Sequence, residues 1–289
     1  MALANKVVVI TGAARGMGRA YVEGFLEKGS KVVALDRSWV PMGVSGDRDD
    51  SFSRSLDKRD DVLKMDCDIS DDEQIQDAFD STLKRFGTVD VLLNNASLRQ
   101  IDLFPPTGVV GILDTTHEDF MKMFNVSFFG TVKMTRTFMQ PMLEKRRGSI
   151  IEVSSHGGAE KEADDGVSLV LRSPRFEQPY QAAKSALTCF SGYLAYEISK
   201  KYNVAVNVIF PASAHTTGYE ERAIARGVQE GKSAEQISTA GGARPEHVVP
   251  LALYLAEQEG ETGVTGHFFE TLKWNEKNGF GTPDSWQVK

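Results

Sequence analysis

The fold is decided by residues 6–18, which read KVVVITGAARGMG. The apolar run Lys6–Ile10 predicts a buried strand, and Met17–Lys28 predicts a helix that ends at Gly29. The glycines between them permit a tight turn, and the start of the helix offers free N–H groups and a partial positive charge. A glycine cluster alone is often only a turn, but at a junction of strand and helix it predicts a phosphate-binding loop.

Strand-like and helix-like stretches alternate along the rest of the chain. Further strands are predicted at Lys31–Leu35, Val62–Asp66, Val89–Asn94, Ile150–Ser154, Val204–Phe210 and Gly266–Glu270. The predicted helices are one opened by a capping box at Ser70–Glu73 and stopped at Gly87, Thr116–Arg147 with an interruption at Pro141, Tyr180–Lys201, and a last one opened at Arg244–Glu246. This alternation predicts a Rossmann-like, doubly wound α/β fold with a mostly parallel seven-stranded sheet and helices on both faces.

Four irregular segments follow the second, fourth, fifth and sixth predicted strands, and they are Arg37–Asp61, Ser97–Thr115, His156–Pro179 and Ala212–Gly242. In a doubly wound sheet they meet at the carboxyl edge, where ligands bind. We expect one domain over residues 1–289, with substrate-loop insertions at about 97–115, 156–179 and 212–242 and a C-terminal extension at about 273–289. Trp274, Phe280 and Trp286 predict that this extension docks on the domain. The alternative is that the additions are surface loops or contacts between subunits.

Composition excludes several classes of function. The net charge of −7 argues against nucleic acid or anionic membrane as a partner. Cys67 and Cys189 form no disulfide framework, and no His, Cys and Asp grouping has metal-ligand spacing, so we expect no metal and a cytoplasmic location. The apolar start of the chain reads as a strand rather than a signal peptide, and no run is long enough to span a bilayer.

Two groups carry the chemistry that the residues alone suggest. Asp36 ends the second strand, where a carboxylate can accept both ribose hydroxyls of an adenosine, although it could also be a solvated strand end. Tyr180 and Lys184 lie one helical turn apart in the segment YQAAK. A nearby ammonium lowers the pKa of a phenol, which makes this pair a proton-transfer unit. The same spacing occurs on solvated helices, so this interpretation depends on the glycine loop.

The spacing of Gly12, Gly16 and Gly18 in TGAARGMG resembles that of the classical short-chain dehydrogenase/reductase family, and the resemblance runs from about Lys6 to Gly266. It implies that Asp68 and Ile69 contact the adenine. It also implies that the cofactor is lined by further residues, which are Arg15, Met17, Arg37, Asn95, Ala96, Tyr180, Lys184, Pro211 and Thr216. Two positions depart from the family pattern, because Ser97 and Ala212 stand where glycines are usual.

The resemblance also assigns catalytic roles. Tyr180 moves the proton, Lys184 tunes it, Ser155 orients the reacting oxygen, and the carbonyl of Asn125 holds a water that links the lysine to solvent. Ser154 is the alternative to Ser155, and a purely structural hydrogen bond is the alternative for Asn125. We assign no catalytic role to the two histidines near the expected site, His156 and His215. The gap between Ser155 and Tyr180 is longer than is usual in the family.

These observations predict an enzyme that transfers a hydride between NAD(H) and a secondary alcohol or ketone. Two alternatives stay open: an NADP(H)-dependent biosynthetic reductase, which Arg15 and Arg37 favour, and a catalytically silent nucleotide sensor on the same fold. The family resemblance further implies a homotetramer or homodimer that pairs through the helices of Thr116–Arg147 and Tyr180–Lys201. The sequence does not identify the substrate.

Overall fold

The strands of the computed structural model, which describes residues 2–42, 49–155 and 177–289, form one parallel sheet. They are β1 Val7–Thr11, β2 Lys31–Asp36, β3 Val62–Asp66, β4 Val91–Asn94, β5 Gly148–Val153, β6 Val204–Phe210 and β7 Phe268–Glu270. Their order in the sheet is β3-β2-β1-β4-β5-β6-β7, and every neighbouring pair is parallel. The predicted Rossmann-like fold is therefore confirmed.

Helices cover both faces of the sheet. In chain order they are α1 Gly16–Glu27, α2 Ser51–Leu56, α3 Asp72–Phe86, α4 Gln100–Leu103, α5 His117–Phe124, α6 Thr131–Phe138, α7 Gln140–Lys145, α8 Gln178–Tyr202, α9 Thr217–Gln229, α10 Val249–Ala256, α11 Thr271–Lys277 and α12 Pro283–Trp286. One apolar layer packs α1 and α10 on the sheet, and a second packs α3, α6 and α8 on the opposite face. The strands are buried on both sides because alternate side chains enter each layer.

The long helical pattern before β5 differs from the prediction. The turn over Asn125–Gly130 is a π-helix between α5 and α6, and the break before Pro141 falls at Met139. A π-turn contains one residue more than an α-turn, so it rotates the residues that follow it relative to a regular helix. The buried positions Met123, Ser127, Gly130, Met134 and Phe138 nevertheless keep the spacing of one helical face.

Two helix starts also correct the prediction. Asp71, not Ser70, caps α3, because its carboxylate accepts the N–H groups of Glu73 and Gln74. A 3₁₀ turn over Pro245–Val248 precedes α10, and the tail adds the two further helices α11 and α12. The end of α3 at Gly87, which has a φ of 76°, is as predicted.

The C-terminal extension packs on the domain. The ring of Trp274 lies 5.2 Å from that of Tyr254 and stacks on Phe280 at 5.5 Å, while the guanidinium of Arg244 lies 5.0 Å above Trp286. This confirms that the aromatic tail docks. The predicted insertion at 156–179 begins with His156. Its positions 156–176 lie outside the described residues. Within the described ranges, no helix is both long and apolar enough to cross a bilayer.

Candidate active site

The glycine loop joins β1 to α1 and leaves no room for side chains. A Cβ atom on Gly18 would lie 1.8 Å from the carbonyl oxygen of Gly12. Gly12 and Gly16 have φ values of +66° and +54°, which other residues rarely adopt. Backbone N–H groups at the start of α1 therefore face the carboxyl edge of the sheet at close range, as binding of a pyrophosphate requires.

The segment after β4 holds this loop in place. The side-chain amide of Asn95 donates to the carbonyl oxygens of Thr11 and Gly12, at 3.0 and 3.1 Å. The backbone N–H of Ala96 donates to the hydroxyl of Thr11 at 3.0 Å. The structure thus brings Asn95 and Ala96 against the glycine loop.

Asp36 lies at the end of β2 beside the same loop. Its carboxylate accepts the backbone N–H of Ala14 at 2.9 Å and that of Ser38 at 3.2 Å. Burial raises the pKa of Asp36, while these two hydrogen bonds and the neighbouring Arg15 and Arg37 act in the opposite direction. A fixed carboxylate next to a phosphate-binding loop fits the ribose of an adenosine. The guanidinium of Arg15 is bonded to the carbonyl of Ser38 at 3.0 Å, and the side chain of Arg37 is exposed.

Asp68 and Ile69 follow β3 at the same edge. The carboxylate of Asp68 accepts both the N–H and the hydroxyl of Ser70, at 2.8 and 2.7 Å. Ile69 is buried against the π-helix, since a Cβ on Gly130 would lie 2.7 Å from the Ile69 carbonyl oxygen. The structure therefore brings both residues to the carboxyl edge of the sheet, with Asp68 engaged in its own turn, and their contact with adenine stays a prediction.

Pro211 and Thr216 lie at the two ends of the loop that follows β6. A Cβ on Gly16 would lie 3.1 Å from the methyl group of Thr216, so this threonine sits directly over the glycine loop. The N–H of Ala212, where the family has glycine, donates to Nε2 of the buried His247 at 3.2 Å. Ala212 is not among the residues with positive φ, so the alanine causes no strain here.

The pair Tyr180 and Lys184 lies on the first turns of α8, next to the end of β5. The ammonium of Lys184 is 5.9 Å from the centre of the Tyr180 ring and donates to the carbonyl of Val153 at 2.7 Å. Burial lowers the pKa of Lys184 to about 8, and the charge of Glu152 opposes this effect. The lysine can therefore hold or release a proton near neutral pH, beside the ring of Tyr180.

The two serines after β5 face different surroundings. Ser154 is 2% exposed, and its hydroxyl is bonded to the Lys184 carbonyl at 2.9 Å and to the Thr188 hydroxyl at 2.8 Å. Ser155, the next residue, is only partly buried. Ser154 therefore fastens α8 to the sheet, which leaves Ser155 as the serine able to reach a substrate.

Asn125 is the first residue of the π-helix, and its side chain is exposed. The role expected of it belongs to its carbonyl, which would hold a water, and that role stays a prediction. The inward position belongs to Ser127, which is fully buried and whose hydroxyl meets the Ser97 hydroxyl at 2.9 Å and the Leu98 N–H at 3.1 Å. A sequence signal existed: Met123, Ser127 and Gly130 are spaced as one helical face, and Asn125 lies off that face.

Sequence reasoning also missed Glu152. This carboxyl lies inside β5, is fully buried, and accepts hydrogen bonds from Asn94 at 3.0 Å and Thr135 at 3.1 Å. Burial raises its pKa to about 7, although both hydrogen bonds and the charge of Lys184 lower it. An acid within an otherwise apolar parallel strand is itself an unusual signal, because such strands are buried on both faces.

Comparison with known proteins agrees with this geometry. The fold matches the crystal structure of gox2181, with a TM-score of 0.69 and 20% identity over 93% of this chain and 95% of that one. It also matches ElxO with NADP bound, with a TM-score of 0.68 and 22% identity over 92% of this chain and 97% of that one. Both likenesses concern the fold alone.

Sequence relatives are more informative. The chain is 41% identical over 285 residues to fluoren-9-ol dehydrogenase of Terrabacter sp. (strain DBF63), which covers 99% of this chain and 76% of that protein. It is 29% identical over 261 residues to L-fucose dehydrogenase of Bos taurus, covering 88% of this chain and 84% of that protein. The family model described as short chain dehydrogenase matches residues 6–225. The chain therefore belongs to the short-chain dehydrogenase/reductase family and is an oxidoreductase.

Proposed function

We propose that this protein is an NAD(H)-dependent dehydrogenase that interconverts a secondary alcohol and its ketone. The observation that carries the proposal is the pairing of Tyr180 with Lys184 at the carboxyl end of β5, in the same sheet edge as the glycine loop. A silent nucleotide sensor would need the loop but would have no use for a phenol beside a buried ammonium. The family membership supports chemistry over sensing.

Each residue of the site has a role in this reaction. In the oxidation direction, the Tyr180 oxygen accepts the hydroxyl proton of the alcohol, and in the reduction direction it returns that proton. The Lys184 ammonium favours the phenolate form of Tyr180 by its charge. Ser155 donates a hydrogen bond to the reacting oxygen and so orients it. The nicotinamide, when bound, supplies the two-electron acceptor or donor.

Asp36 supports NAD over NADP. Both of its carboxylate oxygens are held by backbone N–H groups, so the charge cannot swing away from an added 2′-phosphate. The competing arginines are less well placed, because Arg37 is exposed and Arg15 is bonded to the carbonyl of Ser38. The repulsion between the fixed Asp36 carboxylate and a 2′-phosphate therefore outweighs the attraction of that phosphate to the arginines, which solvent screens. The NADP found with ElxO is the reason to test this choice directly.

The substrate class that we propose is a bulky, flat secondary alcohol. The name of the relative at 41% identity supports it, because fluoren-9-ol is such an alcohol. A cavity of about 720 Å³ at the carboxyl edge agrees, since its lining is largely apolar. The apolar residues that line it are Met42, Leu98, Ile101, Pro105, Pro106, Ile224 and Ala225. Neither Ser155 nor Tyr180 lines this cavity, so it adjoins the reacting groups rather than enclosing them.

A dehydrogenase assay tests the proposal. The purified protein is given fluoren-9-ol, L-fucose and small aliphatic alcohols, each with NAD and with NADP, and reduced nicotinamide is measured. We expect turnover of the aromatic secondary alcohol with NAD. Turnover of L-fucose alone would overturn the substrate class, preference for NADP would favour the biosynthetic reductase, and tight NAD binding without any turnover would favour the sensor.

We also propose that copies of this chain pair through α5, the π-helix and α8. Large apolar side chains on these elements are exposed, and they are Met121, Phe129, Tyr193 and Tyr196. Such a cluster commonly marks a protein interface. The two free cysteines support a cytoplasmic location. Light scattering of the purified protein tests whether this pairing gives a homotetramer or a homodimer.

A further inference from the structure

Glu152 occupies a position where a charged side chain is costly. It lies within β5, fully buried, and its neighbours in the same apolar layer include Leu92, Ile150 and Val206. Burying a carboxylate in such surroundings opposes its ionisation unless partners compensate. The side chain therefore needs a reason to be there that packing does not provide.

The hydrogen bonds of Glu152 leave one oxygen unsatisfied. Oε1 accepts from the amide of Asn94 on β4 and the hydroxyl of Thr135 on α6. Oε2 is buried and finds no hydrogen-bond partner among the residues that the structure describes, and the same holds for Oδ1 of Asn94. Two polar partners therefore bind one oxygen of the carboxyl, and a nearby positive charge would further favour its ionised form.

Lys184 is a buried cation close to this carboxyl, although the two groups form no direct ion pair. It is 3% exposed, and its ammonium is anchored on the carbonyl of Val153, the residue next to Glu152. The other elements packed around the carboxyl contribute neutral groups: Asn94 from β4, Thr135 from α6 and, across the sheet, the apolar Val208 from β6. Within the described residues, Lys184 is the charged group that acts on Glu152.

We propose that Glu152 is a positioning residue that keeps Lys184 protonated, and so sets the pH range in which Tyr180 exchanges its proton. The proposal rests on the proposed function for its link to Tyr180. Its physical basis is reciprocal: a buried anion favours a nearby cation, and that cation favours the anion. Without the carboxylate, the charge that opposes the effect of burial on Lys184 would be lost, and burial favours the neutral amine.

The direct test follows the titration of Lys184 in the full-length protein without substrate. Lysine labelled with ¹³C at the ε carbon is read by NMR across a pH series, and the Lys184 signal is identified by its loss in Lys184→Arg. In Glu152→Gln, which preserves shape and removes the charge, we expect the pKa of Lys184 to fall by about one pH unit or more. An unchanged Lys184 titration would overturn the proposal.

One control variant and one replacement variant complete this test. Ser149→Ala removes another buried hydrogen bond of β5, from the Ser149 hydroxyl to the Leu255 carbonyl at 2.8 Å, without a change in charge, and should leave the Lys184 titration unchanged. If Glu152→Gln does not fold, Thr135→Val replaces it. That variant removes one hydrogen bond to the carboxylate, disfavours its ionisation and should lower the pKa of Lys184 by a smaller amount. No change in this variant would equally contradict the proposal.

Enzyme kinetics provides the functional half of the test. In alcohol oxidation, the alkaline side of the kcat profile, where Lys184 loses its proton, should move to lower pH in Glu152→Gln and recover in part in Glu152→Asp. An alkaline side that stays in place would contradict the functional role. If the wild-type protein oxidises no alcohol, the proposed function fails, while the NMR titration still decides whether the two groups are coupled.

Discussion

The two ends of the ligand-binding edge are built in different ways. In the nucleotide half, formed by β1, the glycine loop and β2, each contact described above has a backbone atom on at least one side, as when Asp36 accepts the N–H of Ala14. In the substrate rim, formed by residues 97–115, 211–244 and 282–289, contacts join side chains and segments far apart in sequence. Arg99 and Glu221 form an ion pair at 2.6 Å across the rim. The difference teaches that backbone atoms fix the geometry of the glycine loop and Asp36, whereas pairings between distant segments shape the rim.

The largest effect on stability and cofactor binding is expected at Gly18, where the nucleotide half is most closely packed. Gly18→Ala places a methyl group 1.8 Å from the Gly12 carbonyl oxygen, so the loop must open. We expect a loss of about 3 kcal/mol or more in the free energy of unfolding and no measurable NADH binding, read by denaturant unfolding and NADH fluorescence. The control Gly111→Ala, in the substrate rim, meets only an ordinary contact of 3.5 Å with Asp114 and should change neither. Normal NADH affinity in Gly18→Ala would show that the loop does not hold the cofactor.

The choice between NAD and NADP is a second test of the nucleotide half, because this choice should depend on the carboxylate of Asp36. We expect the wild-type kcat/KM to favour NAD over NADP by at least about tenfold, or ~1.4 kcal/mol. Asp36→Ala should abolish or reverse this preference, since Arg15 and Arg37 would then meet the 2′-phosphate unopposed. Asp36→Asn removes the charge but keeps a side-chain oxygen that accepts a backbone N–H. This variant therefore separates the effect of the charge from that of the hydrogen bonds. A wild-type protein that uses both cofactors equally would mean that the arginines prevail.

Removal of the C-terminal tail tests whether the substrate rim also contributes to binding of the cofactor. The N–H of Arg244 donates to the carbonyl of Trp286 at 2.8 Å, and Ala243 in turn bridges to Ala214, two residues before Thr216. Deletion of residues 282–289 should therefore loosen the loop over the glycine turn and raise the KM for NAD by less than about tenfold, below ~1.4 kcal/mol. Trp286→Phe keeps an aromatic ring under Arg244 and should be milder. An unchanged KM for NAD would limit the tail to packing.

The smallest effect is expected from the ion pair across the substrate rim. Glu221→Gln breaks its bond to Arg99, but that side chain keeps Asp102 as a partner. A partly exposed ion pair contributes about 1 kcal/mol at most to stability, so we expect an unchanged melting temperature within a few degrees. The KM for the alcohol should change a few-fold and that for NAD should not. Arg59→Gln breaks a similar pair with Asp61 away from the site and should affect neither KM.

The sequence predicted the nucleotide half well because its signals are local. Apolar runs located all seven strands, with the bounds of β3 and β6 correct to the residue. The family resemblance implied that Asn95 and Ala96 lie beside the glycine loop, and they do. Buried parallel strands and tight glycine turns allow few alternatives, so composition at a few positions suffices there.

The substrate side was harder to predict for physical reasons. At the π-turn after α5, the buried side chain is that of Ser127 and not that of Asn125, which the family resemblance did not imply. Glu152 becomes notable only when β5 is seen to be covered by α6 and α8, because its partners come from other elements. Pairing of the tail with residues 241–244 joins segments about forty residues apart, which no local periodicity reports.

The central claim is that Tyr180 is the acid and base of an NAD(H)-dependent dehydrogenase, and one paired measurement tests it most directly. Tyr180→Phe keeps the ring beside Lys184 and removes the transferable proton. NADH affinity by fluorescence titration should stay within a few-fold of wild type, while kcat for fluoren-9-ol should fall by about 10³-fold. The control Tyr202→Phe, at the far end of α8, should retain full activity. A Tyr180→Phe enzyme that turns over alcohol within a few-fold of the wild-type rate would contradict the account.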